Sequence, residues 1–501
     1  MRKHPKNTIT KAENKRSFSL IIPLILACSA FLPPAQAVVP APDGGYAGFN
    51  TAEGQNALFS VTTGVGNTAV GWLSLWSNSD GSFNTGVGAG ALLFNVGDQT
   101  TREGIENTAI GGAALLSNTS GSKNTAVGVA ALLNNTTGGF NTAIGSSALS
   151  SNTEGDFNTA HGESALFKNT TGGYNTATGA SALFNNTEGD QNTATGYEAL
   201  LLNTTGNGNT ADGSLALLNN TTGNDNTASG FAALDHNTTG NQNTATGSQA
   251  LAVNTTGDFN TAIGATALLR NDNGIANTAV GYQALLNNST GGGNTAVGEN
   301  ALQNNTTGVQ NVALGFSAAS AITTANNVIC IGSLISGTNT SNTCFIGNIR
   351  GVPTGIGDAV SVVIDSNGQL GTQVSSRRFK KEVKPMDRTS EAILALKPVT
   401  FHYKSDNTNK PQFGLIAEEV AEVNPDLVMR DKDGEIYTVR YDAVNAMMLN
   451  EFLKEHRKVE ELEKEMAVLS AQLKEQAAQI QKVNAQIQIR GPALKTVLNN
   501  Q

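Results

Sequence analysis

The sequence predicts a mainly β protein. A fibre of 17-residue repeats, folded as a β-roll or parallel β-solenoid, precedes a small α+β domain and a C-terminal trimeric coiled coil. Three observations predict this order: a strictly phased repeat in the middle of the chain, a change of composition at Ser375, and apolar residues spaced alternately by three and four near the C-terminus. The predicted segments are a signal peptide at 1–37, a linker at 38–49, the repeat fibre with its capping coils at 50–350, a neck hairpin at 351–374, the α+β domain at 375–458, the coiled coil at 459–490 and a tail at 491–501.

The repeat unit reads N-T-A-x-G-x-x-A-L-x-x-N-T-T-G-x-x, and its residues are numbered below as positions 1 to 17. Sixteen copies follow one another, with one six-residue insertion after the third. A constant period of this length is typical of solenoids, in which each unit contacts only its neighbours. The copies begin at Asn50, Asn67, Asn84, Asn107, Asn124, Asn141, Asn158, Asn175, Asn192, Asn209, Asn226, Asn243, Asn260, Asn277, Asn294 and Asn311.

The phasing of glycine, leucine and asparagine predicts the course of one coil. Glycine at positions 5 and 15 is expected to divide the unit into two short extended pieces joined by turns with positive φ. One leucine, at position 9, and two or three alanines would form a thin core, and asparagines at positions 1 and 12 would stack into ladders. A disordered Gly/Asn/Thr-rich tract matches the composition but not this phasing. Each coil should rise about 4.8 Å.

The net charge argues against nucleic-acid and anionic-membrane partners, and the small core favours association with further copies of the chain. A net charge of −9, with charged residues at 14%, offers no broad basic face for nucleic acid or an anionic membrane. A core of one leucine per coil is small against the backbone entropy of 17 ordered residues, so lateral association of several chains is expected.

The N-terminus predicts export. A basic opening precedes the apolar run 18–32, and Ala35-Gln36-Ala37 supplies a small-x-small cleavage site. The run is short and is followed by two prolines, which favours a signal peptide over a membrane span and a secreted or cell-surface protein without a transmembrane segment after processing. A short N-terminal anchor and lipoprotein processing at Cys28 are the alternatives.

Two cysteines lie beyond the regular repeats, where the unit changes to N-V-I-C-I-G and N-T-C-F-I-G and predicts capping coils. In an oxidising compartment Cys330 and Cys344 could pair, and the alternative is two buried thiols stacked on adjacent coils. The segment that follows predicts a hairpin, with a strand at 360–364 and a turn at 366–368.

From Ser375 the pattern is that of another domain. A short helix is predicted from Met386 to Leu396, V-T-F-H-Y-K alternates as a strand, Q-F-G-L-I-A-E-E-V-A-E-V predicts a strand and then a helix, and a D-K-D-G-E turn precedes a last strand. Heptads then predict a coiled coil, whose a and d positions from residue 459 onward are Val459, Leu462, Met466, Leu469, Leu473, Gln476, Ile480, Val483 and Ile487.

The runs SSRRFKKEVKPMDRTSEAILALKPVTFHYK, QFGLIAEEVAEVNPDLV and YTVRYDAVNAMMLNEFLKE resemble the intramolecular chaperone domain of phage endosialidase tailspikes, the S74 group of self-cleaving peptidases. The resemblance implies that the domain forms a trimer, helps the preceding fibre to fold and then cuts itself off with a Ser-Lys dyad. Matched by position, Ser375 is the nucleophile, Lys380 the base and Arg378 the motif arginine, with cleavage between Val374 and Ser375. Ser376 stands where the family usually has Asp.

The repeats are also similar, more loosely, to the β-roll heads of trimeric autotransporter adhesins, through phrases such as N-T-A-V-G.

The residues around the proposed dyad support its chemistry. A lysine acts as a base when neighbouring cations or burial lower its pKa, and Arg377, Arg378 and Lys381 surround Lys380 in sequence. Without the resemblance, the same run reads as an exposed basic patch.

Two functions remain open: a trimeric structural fibre with a self-cleaving chaperone, and a non-enzymatic rod that binds a glycan or ice through Asn and Thr ladders. The five histidines show no metal-ligand spacing, and no cofactor is indicated.

Overall fold

The computed structural model describes residues 46–350, 352, 360–365, 368–431, 433–489 and 491. The chain divides into two compact units, Met1–Val352 and Pro353–Gln501, each of which is described by itself. The predicted signal peptide, most of the linker and residues 492–501 of the tail lie outside the described residues.

In the described residues, the first unit is a parallel β-solenoid of 18 strands, which confirms the predicted fold class. Strands β1 to β16 belong to the sixteen repeats, and β17 and β18 to the two capping coils. The strands are β1 Thr51–Glu53, β2 Thr68–Val70, β3 Thr85–Val87, β4 Thr108–Ile110, β5 Thr125–Val127, β6 Thr142–Ile144, β7 Thr159–His161, β8 Thr176–Thr178, β9 Thr193–Thr195, β10 Thr210–Asp212, β11 Thr227–Ser229, β12 Thr244–Thr246, β13 Thr261–Ile263, β14 Thr278–Val280, β15 Thr295–Val297, β16 Val312–Leu314, β17 Ile329–Ile331 and β18 Cys344–Ile346.

Each strand pairs in parallel with the strand of the next coil, so that like positions meet. In the pairing of β9 with β10, Thr193 is opposite Thr210 and Ala194 is opposite Ala211. Each coil contains one strand, at positions 2 to 4, and not the two extended pieces that the glycines predicted. The rest of the coil is a series of turns, because residues other than glycine also take positive φ there.

Residues at positions 7, 9 and 17 lie in the left-handed region of the backbone in nearly every coil. In the coil that begins at Asn192, Glu198 has φ 55° and Leu200 has φ 52°. Such conformations cost about 1–3 kcal/mol each and persist only where the surroundings enforce them. The enforcement here is hydrogen bonding between coils: the Leu200 N–H donates to the Ala216 carbonyl (3.0 Å), and the Glu198 N–H donates to the Ala180 carbonyl (3.1 Å).

The core of the solenoid is the thin one that the sequence predicted. Alanine at positions 3 and 8 and leucine at position 9 are fully buried in the regular coils, as Ala194, Ala199 and Leu200 show. One coil departs from this pattern in a compensated way. Ser74 replaces alanine at position 8 and donates its hydroxyl to the carbonyl of Gly86, whose missing Cβ leaves the space for it.

Two asparagine ladders run beside this core, and both are buried. At position 12, Asn203 Nδ2 donates to Asn186 Oδ1 (2.8 Å) and to the Gly206 carbonyl (3.0 Å). At position 1, Asn192 Nδ2 donates to the Gly206 carbonyl (2.8 Å), while its Oδ1 accepts from the backbone N–H of Asn209 (3.0 Å). The predicted ladders are therefore confirmed. They satisfy amide and carbonyl groups that water does not reach.

Glycine recurs at two positions of the coil, and each position requires it for a different reason. Gly196, at position 5, has φ +132°, and a Cβ there would lie 2.6 Å from the backbone of Gly213 in the next coil. Gly206, at position 15, has no positive φ. A Cβ on it would lie 2.4 Å from Asn203 Oδ1 and 2.5 Å from the Gly223 carbonyl. Position 15 is glycine because the asparagine ladders approach the backbone closely there, not because of a left-handed turn.

The capping coils bring the two cysteines to different sides of the sheet. Cys330 occupies the inward position 3 and is buried, whereas Cys344 occupies the outward position 2 and is exposed. Strand pairing sets Cys344 beside Ile329 and Cys330 beside Phe345. Both thiols are free, and burial raises the pKa of Cys330. The structure thus shows neither the disulfide nor two buried thiols, because side chains alternate between the faces of a strand.

The described residues of the second unit form three antiparallel strand pairs, three short 3₁₀ helices and two α-helices. The predicted short helix forms as a 3₁₀ helix, and the predicted strands and helix of this unit are confirmed in their predicted order. In chain order the elements are β19 Val362–Ile364, β20 Leu370–Thr372, η1 Arg377–Phe379, η2 Asp387–Ala395, β21 Val399–Phe401, β22 Gln412–Gly414, α1 Ala417–Val423, η3 Pro425–Leu427, β23 Val428–Arg430, β24 Ile436–Val439 and α2 Tyr441–Ile489.

Helix α2 is one uninterrupted helix of 49 residues, and it crosses the predicted boundary between residues 458 and 459. No glycine or proline lies within it, so nothing in the sequence ends the helix at that point. Its first turns pack against the α+β domain, whose buried core is small: Val420, Leu427, Val428, Val439, Val444 and Met447. None of the helices in the described part of the chain is both long and apolar enough to cross a membrane.

The close contact at position 5 predicts a strong effect of adding one methyl group. We expect Gly196→Ala to lower the free energy of unfolding by about 2–4 kcal/mol, because it combines a strained φ with a backbone overlap. The measurement is thermal and denaturant unfolding of the full chain. Gly112→Ala is the matched control, since a Cβ on Gly112 has no atom within 4 Å. Equal stability of the two variants would contradict the coil geometry.

The buried ladder predicts a second effect. Asn203→Ala removes two donated bonds and leaves the buried Asn186 Oδ1 without its donor, so we expect a loss of about 2–4 kcal/mol of stability. Asn207→Ala is the control, because Asn207 belongs to an exposed ladder whose backbone partners can turn to water. Denaturant unfolding compares the two, and a loss for Asn207→Ala as large as for Asn203→Ala would show that burial is not the cause.

Candidate functional site

The proposed nucleophile and base lie together in the second unit. Ser375 follows strand β20, and the 3₁₀ helix η1 turns the chain so that Lys380 comes back toward it. Lys380 Nζ donates a hydrogen bond to Ser375 Oγ at 3.2 Å. A nucleophile and a base need a contact of this length, although both side chains are exposed to solvent.

The turn between the two residues is held by its own backbone. The Phe379 N–H donates to the Ser376 carbonyl (3.0 Å), and the Lys380 N–H donates to the Arg377 carbonyl (3.1 Å). Ser376 stands at the beginning of η1, and its side chain makes no capping hydrogen bond. The guanidinium of Arg378 lies over the Phe379 ring, 4.6 Å from the ring centroid. Among the described residues, Arg378 is thus packed on an aromatic ring rather than on Ser375 or Lys380.

The residue before Val374 is bonded to the beginning of helix α2. Gln373 Nε2 donates to Asp442 Oδ2 at 2.9 Å, across 69 residues of sequence. This bond is the main cause that holds the pKa of Asp442 below its usual range. The sequence analysis did not find this pair. An Asp in the first turn of a helix is favoured by the helix dipole, so Asp442 alone carries no signal of a contact with Gln373.

A polar cluster joins η2 to α2. The buried Ser390 hydroxyl donates to Glu451 Oε1 and accepts from Asn450 Nδ2 (2.7 Å), while Lys454 Nζ bonds to Glu451 Oε1 (2.7 Å). The bond from Lys454, and then that from Ser390, lowers the pKa of Glu451, and the same carboxylate raises the pKa of Lys454. The cluster sets the position of η2 along the long helix. It too was missed, because its members are about 60 residues apart.

The distal part of helix α2 carries the predicted heptad stripe without any covering element. Its apolar a and d side chains are 48–66% exposed, and Gln476 lies in the same row, also exposed. The structure contains one chain, so the predicted coiled coil is a helix with an open apolar face. The apolar members of this stripe are Val459, Leu462, Met466, Leu469, Leu473, Ile480, Val483 and Ile487.

The ladders proposed to bind a glycan or ice are differently placed. The asparagine ladders at positions 1 and 12 are buried and their amides are used inside the solenoid, so these two ladders do not present a binding surface. Threonine at position 13 donates its hydroxyl between coils, as Thr204 does to the Thr221 carbonyl (3.0 Å). Threonine at position 2, exemplified by Thr193, stands on the outward face of the strands.

Comparison with known proteins locates the family signal. Residues 375–429 match the family model Peptidase S74, described as the chaperone of endosialidase. No curated protein matches the chain, and no solved structure matches it. The match covers the segment in which Ser375 and Lys380 lie, and it confirms the resemblance inferred from the sequence. After the parallel β-solenoid in sequence, this chain carries a segment similar to the chaperone of endosialidase.

Proposed function

We propose that the chain is an exported, homotrimeric fibre whose C-terminal domain drives trimerisation and then cuts the Val374–Ser375 bond once. The observation that carries the proposal is the 3.2 Å contact of Lys380 Nζ with Ser375 Oγ, inside the segment similar to the endosialidase chaperone. The solenoid before it supplies the fibre, and the open stripe on α2 supplies a surface for self-association.

The geometry supports an acyl shift followed by hydrolysis. Ser375 Oγ attacks the carbonyl carbon of Val374 while the Lys380 amine accepts the hydroxyl proton. The C–N bond then breaks, the Ser375 nitrogen takes a proton and becomes the new N-terminus, and the Val374 acyl group is left on Oγ as an ester. Water hydrolyses this ester, which releases the Val374 carboxylate and restores the serine hydroxyl. The fibre and the chaperone are then separate chains.

Assembly would complete this site. A lysine becomes an effective base when its amine is removed from water, and the Lys380 side chain is exposed in the single chain. Two exposed apolar side chains lie among the basic residues beside the dyad: Val374 and Phe379 are 54% and 56% exposed. A neighbouring subunit that covers these side chains would also bury the dyad, so cleavage follows trimer formation in this proposal.

The trimer itself rests on the stripe of α2. Each leucine-sized side chain that moves from water into a coiled-coil core contributes about 1.5–3 kcal/mol, and eight such side chains stand open in a single row. The small core of the α+β domain gives a second reason for association, since a domain of this size with six buried apolar residues is marginal alone.

Export and a secreted or cell-surface location rest on the predicted leader at 1–37, with a host or cell-surface ligand, such as a glycan, as the proposed partner of the fibre. A glycan- or ice-binding rod remains the second candidate function. What favours it is the row of threonines at position 2, which runs along the outward strand face at the spacing of a parallel sheet.

Removal of the nucleophile predicts loss of the cut. We expect wild-type protein to yield two fragments with a new N-terminus at Ser375, and Ser375→Ala to remain intact, because no hydroxyl is left to attack Val374. Lys380→Met should remain intact as well. A denaturing gel and N-terminal sequencing measure both.

The matched control for this prediction is Ser376→Ala, which removes a neighbouring hydroxyl that makes no capping bond and should leave cleavage unchanged. If wild type and Ser375→Ala run as the same intact band, or if both are cut, the dyad is refuted.

A charge in the helix stripe predicts loss of the trimer. In the uncut Ser375→Ala chain, we expect Leu469→Glu combined with Leu473→Glu to convert a particle of three chains into single chains, since three carboxylates at each layer would face one another. Light scattering coupled to gel filtration gives the mass. Ala471→Glu, on the opposite side of the helix, should stay trimeric, and a trimer formed by the double variant would contradict the predicted seam.

A further inference from the structure

A second open apolar surface runs along the solenoid. The last residue of each strand, at position 4, points outward, on the side opposite the buried alanine of position 3. Position 4 is Glu53 in the first coil, and from the second coil onward its residues fall into three uninterrupted blocks. Coils 2 to 6 carry Val70, Val87, Ile110, Val127 and Ile144; coils 7 to 12 carry His161, Thr178, Thr195, Asp212, Ser229 and Thr246; coils 13 to 18 carry Ile263, Val280, Val297, Leu314, Ile331 and Ile346.

The fold of a single chain does not require these blocks. Threonine and serine form the same strand in coils 8, 9, 11 and 12, so the backbone accepts either chemistry at position 4. The apolar members are nevertheless left in water, with Ile110 42% exposed and Ile263 43% exposed. Long apolar rows on a protein surface mark a contact with another molecule.

We propose that the outward strand face, formed by positions 2 and 4, is the surface on which three copies of the solenoid pack against one another, parallel and in register. The inference rests on the proposed trimer and adds where the fibre part of each chain makes contact. In-register copies place the apolar blocks against apolar blocks and the polar block against the polar block. Each face is therefore complementary to the same face of an identical copy, and no second kind of protein is needed to cover it.

The size of the face suits a stable interface. Seventeen steps between 18 strands extend about 80 Å, and two columns of side chains are about 10 Å wide, which gives roughly 800 Å² per chain. The whole face is comparable with the area that a specific complex buries on each partner, and eleven of its eighteen coils carry the apolar blocks. The strand register is unchanged from coil to coil, so both columns of side chains run along the face without a shift.

The apolar character is strongest at the C-terminal end of the solenoid. Position 2 is threonine up to Thr295, but it becomes Val312, Ile329 and Cys344 in the last three coils, so both columns are apolar or sulfur-bearing there. The helix stripe follows this end in sequence, so association can begin there and extend along the fibre. The polar block would stay hydrated, since three Asp212 carboxylates near one axis repel one another if they are dried.

Cysteine cross-linking in the full chain tests the proposed face. Cys28→Ser and Cys344→Ser remove the native thiols other than the buried Cys330, and Ser375→Ala keeps the chain in one piece. In this background Val297→Cys places a thiol on the face, and mild oxidation should produce a disulfide-linked dimer on a non-reducing denaturing gel, because facing thiols come within bonding reach. Glu299→Cys is the matched control, two residues away and exposed outside the face.

The outcomes separate this inference from the proposed trimer. A trimeric mass by light scattering with a dimer band from Val297→Cys, and little from Glu299→Cys, supports the interface. A trimeric mass with no dimer band from Val297→Cys, or with equal bands from both, overturns the strand face as the interface and leaves the trimer standing. A single-chain mass for the protein without cysteine additions overturns both.

Discussion

The structure depends on hydrogen bonding from one coil to the next. Within a coil, several residues adopt left-handed conformations that would not persist in a short peptide, and the asparagine amides would be unsatisfied. Leu200 is the clearest case, because a fully buried leucine at φ 52° is tolerable only while its N–H reaches Ala216 in the following coil. A single coil would therefore not be stable, and the coils stabilise one another only when they are stacked. The coils at the ends of the stack lack one neighbour, and there the repeat departs from its consensus.

The chain divides its stabilising interactions unequally between the two units. The solenoid satisfies its backbone and its asparagines internally, and it exposes apolar side chains both on the outward strand face and at several turn positions. The C-terminal unit does the reverse: its buried core is small, while Phe413, Tyr437 and the helix stripe are open to solvent. Exposed apolar surface of this kind is suited to self-association of the C-terminal unit. The solenoid, with its internal hydrogen bonds satisfied, is suited to remaining folded. This division agrees with the similarity of residues 375–429 to a chaperone rather than to a structural repeat.

The sequence was enough to predict the solenoid, its thin core and its ladders, because a strictly periodic repeat indicates which positions stack on one another. Ala194, Leu200 and Asn203 are examples. It did not foretell one strand per coil, because nothing in the residue type reveals that Glu198 takes positive φ. The proximity of Ser375 to Lys380 was expected from the family motif, and the structure shows the turn that produces it. The Gln373–Asp442 bond and the Ser390 cluster join residues about 60 or more positions apart, and a single sequence carries no signal for such pairs. The placement of Cys344 could have been read from strand alternation.

The six extra residues within the third coil show how such a fibre can vary. Asp98 and Glu103 pair with each other across the base of the inserted loop, and directly after it the Gly104 carbonyl accepts from Asn84 and Asn95, as a position-15 glycine does elsewhere. The coil closes as if nothing had been added. This corner can therefore carry foreign segments of differing length and chemistry while the shaft keeps its pitch, so the exterior of the fibre can diversify without any change to its interior.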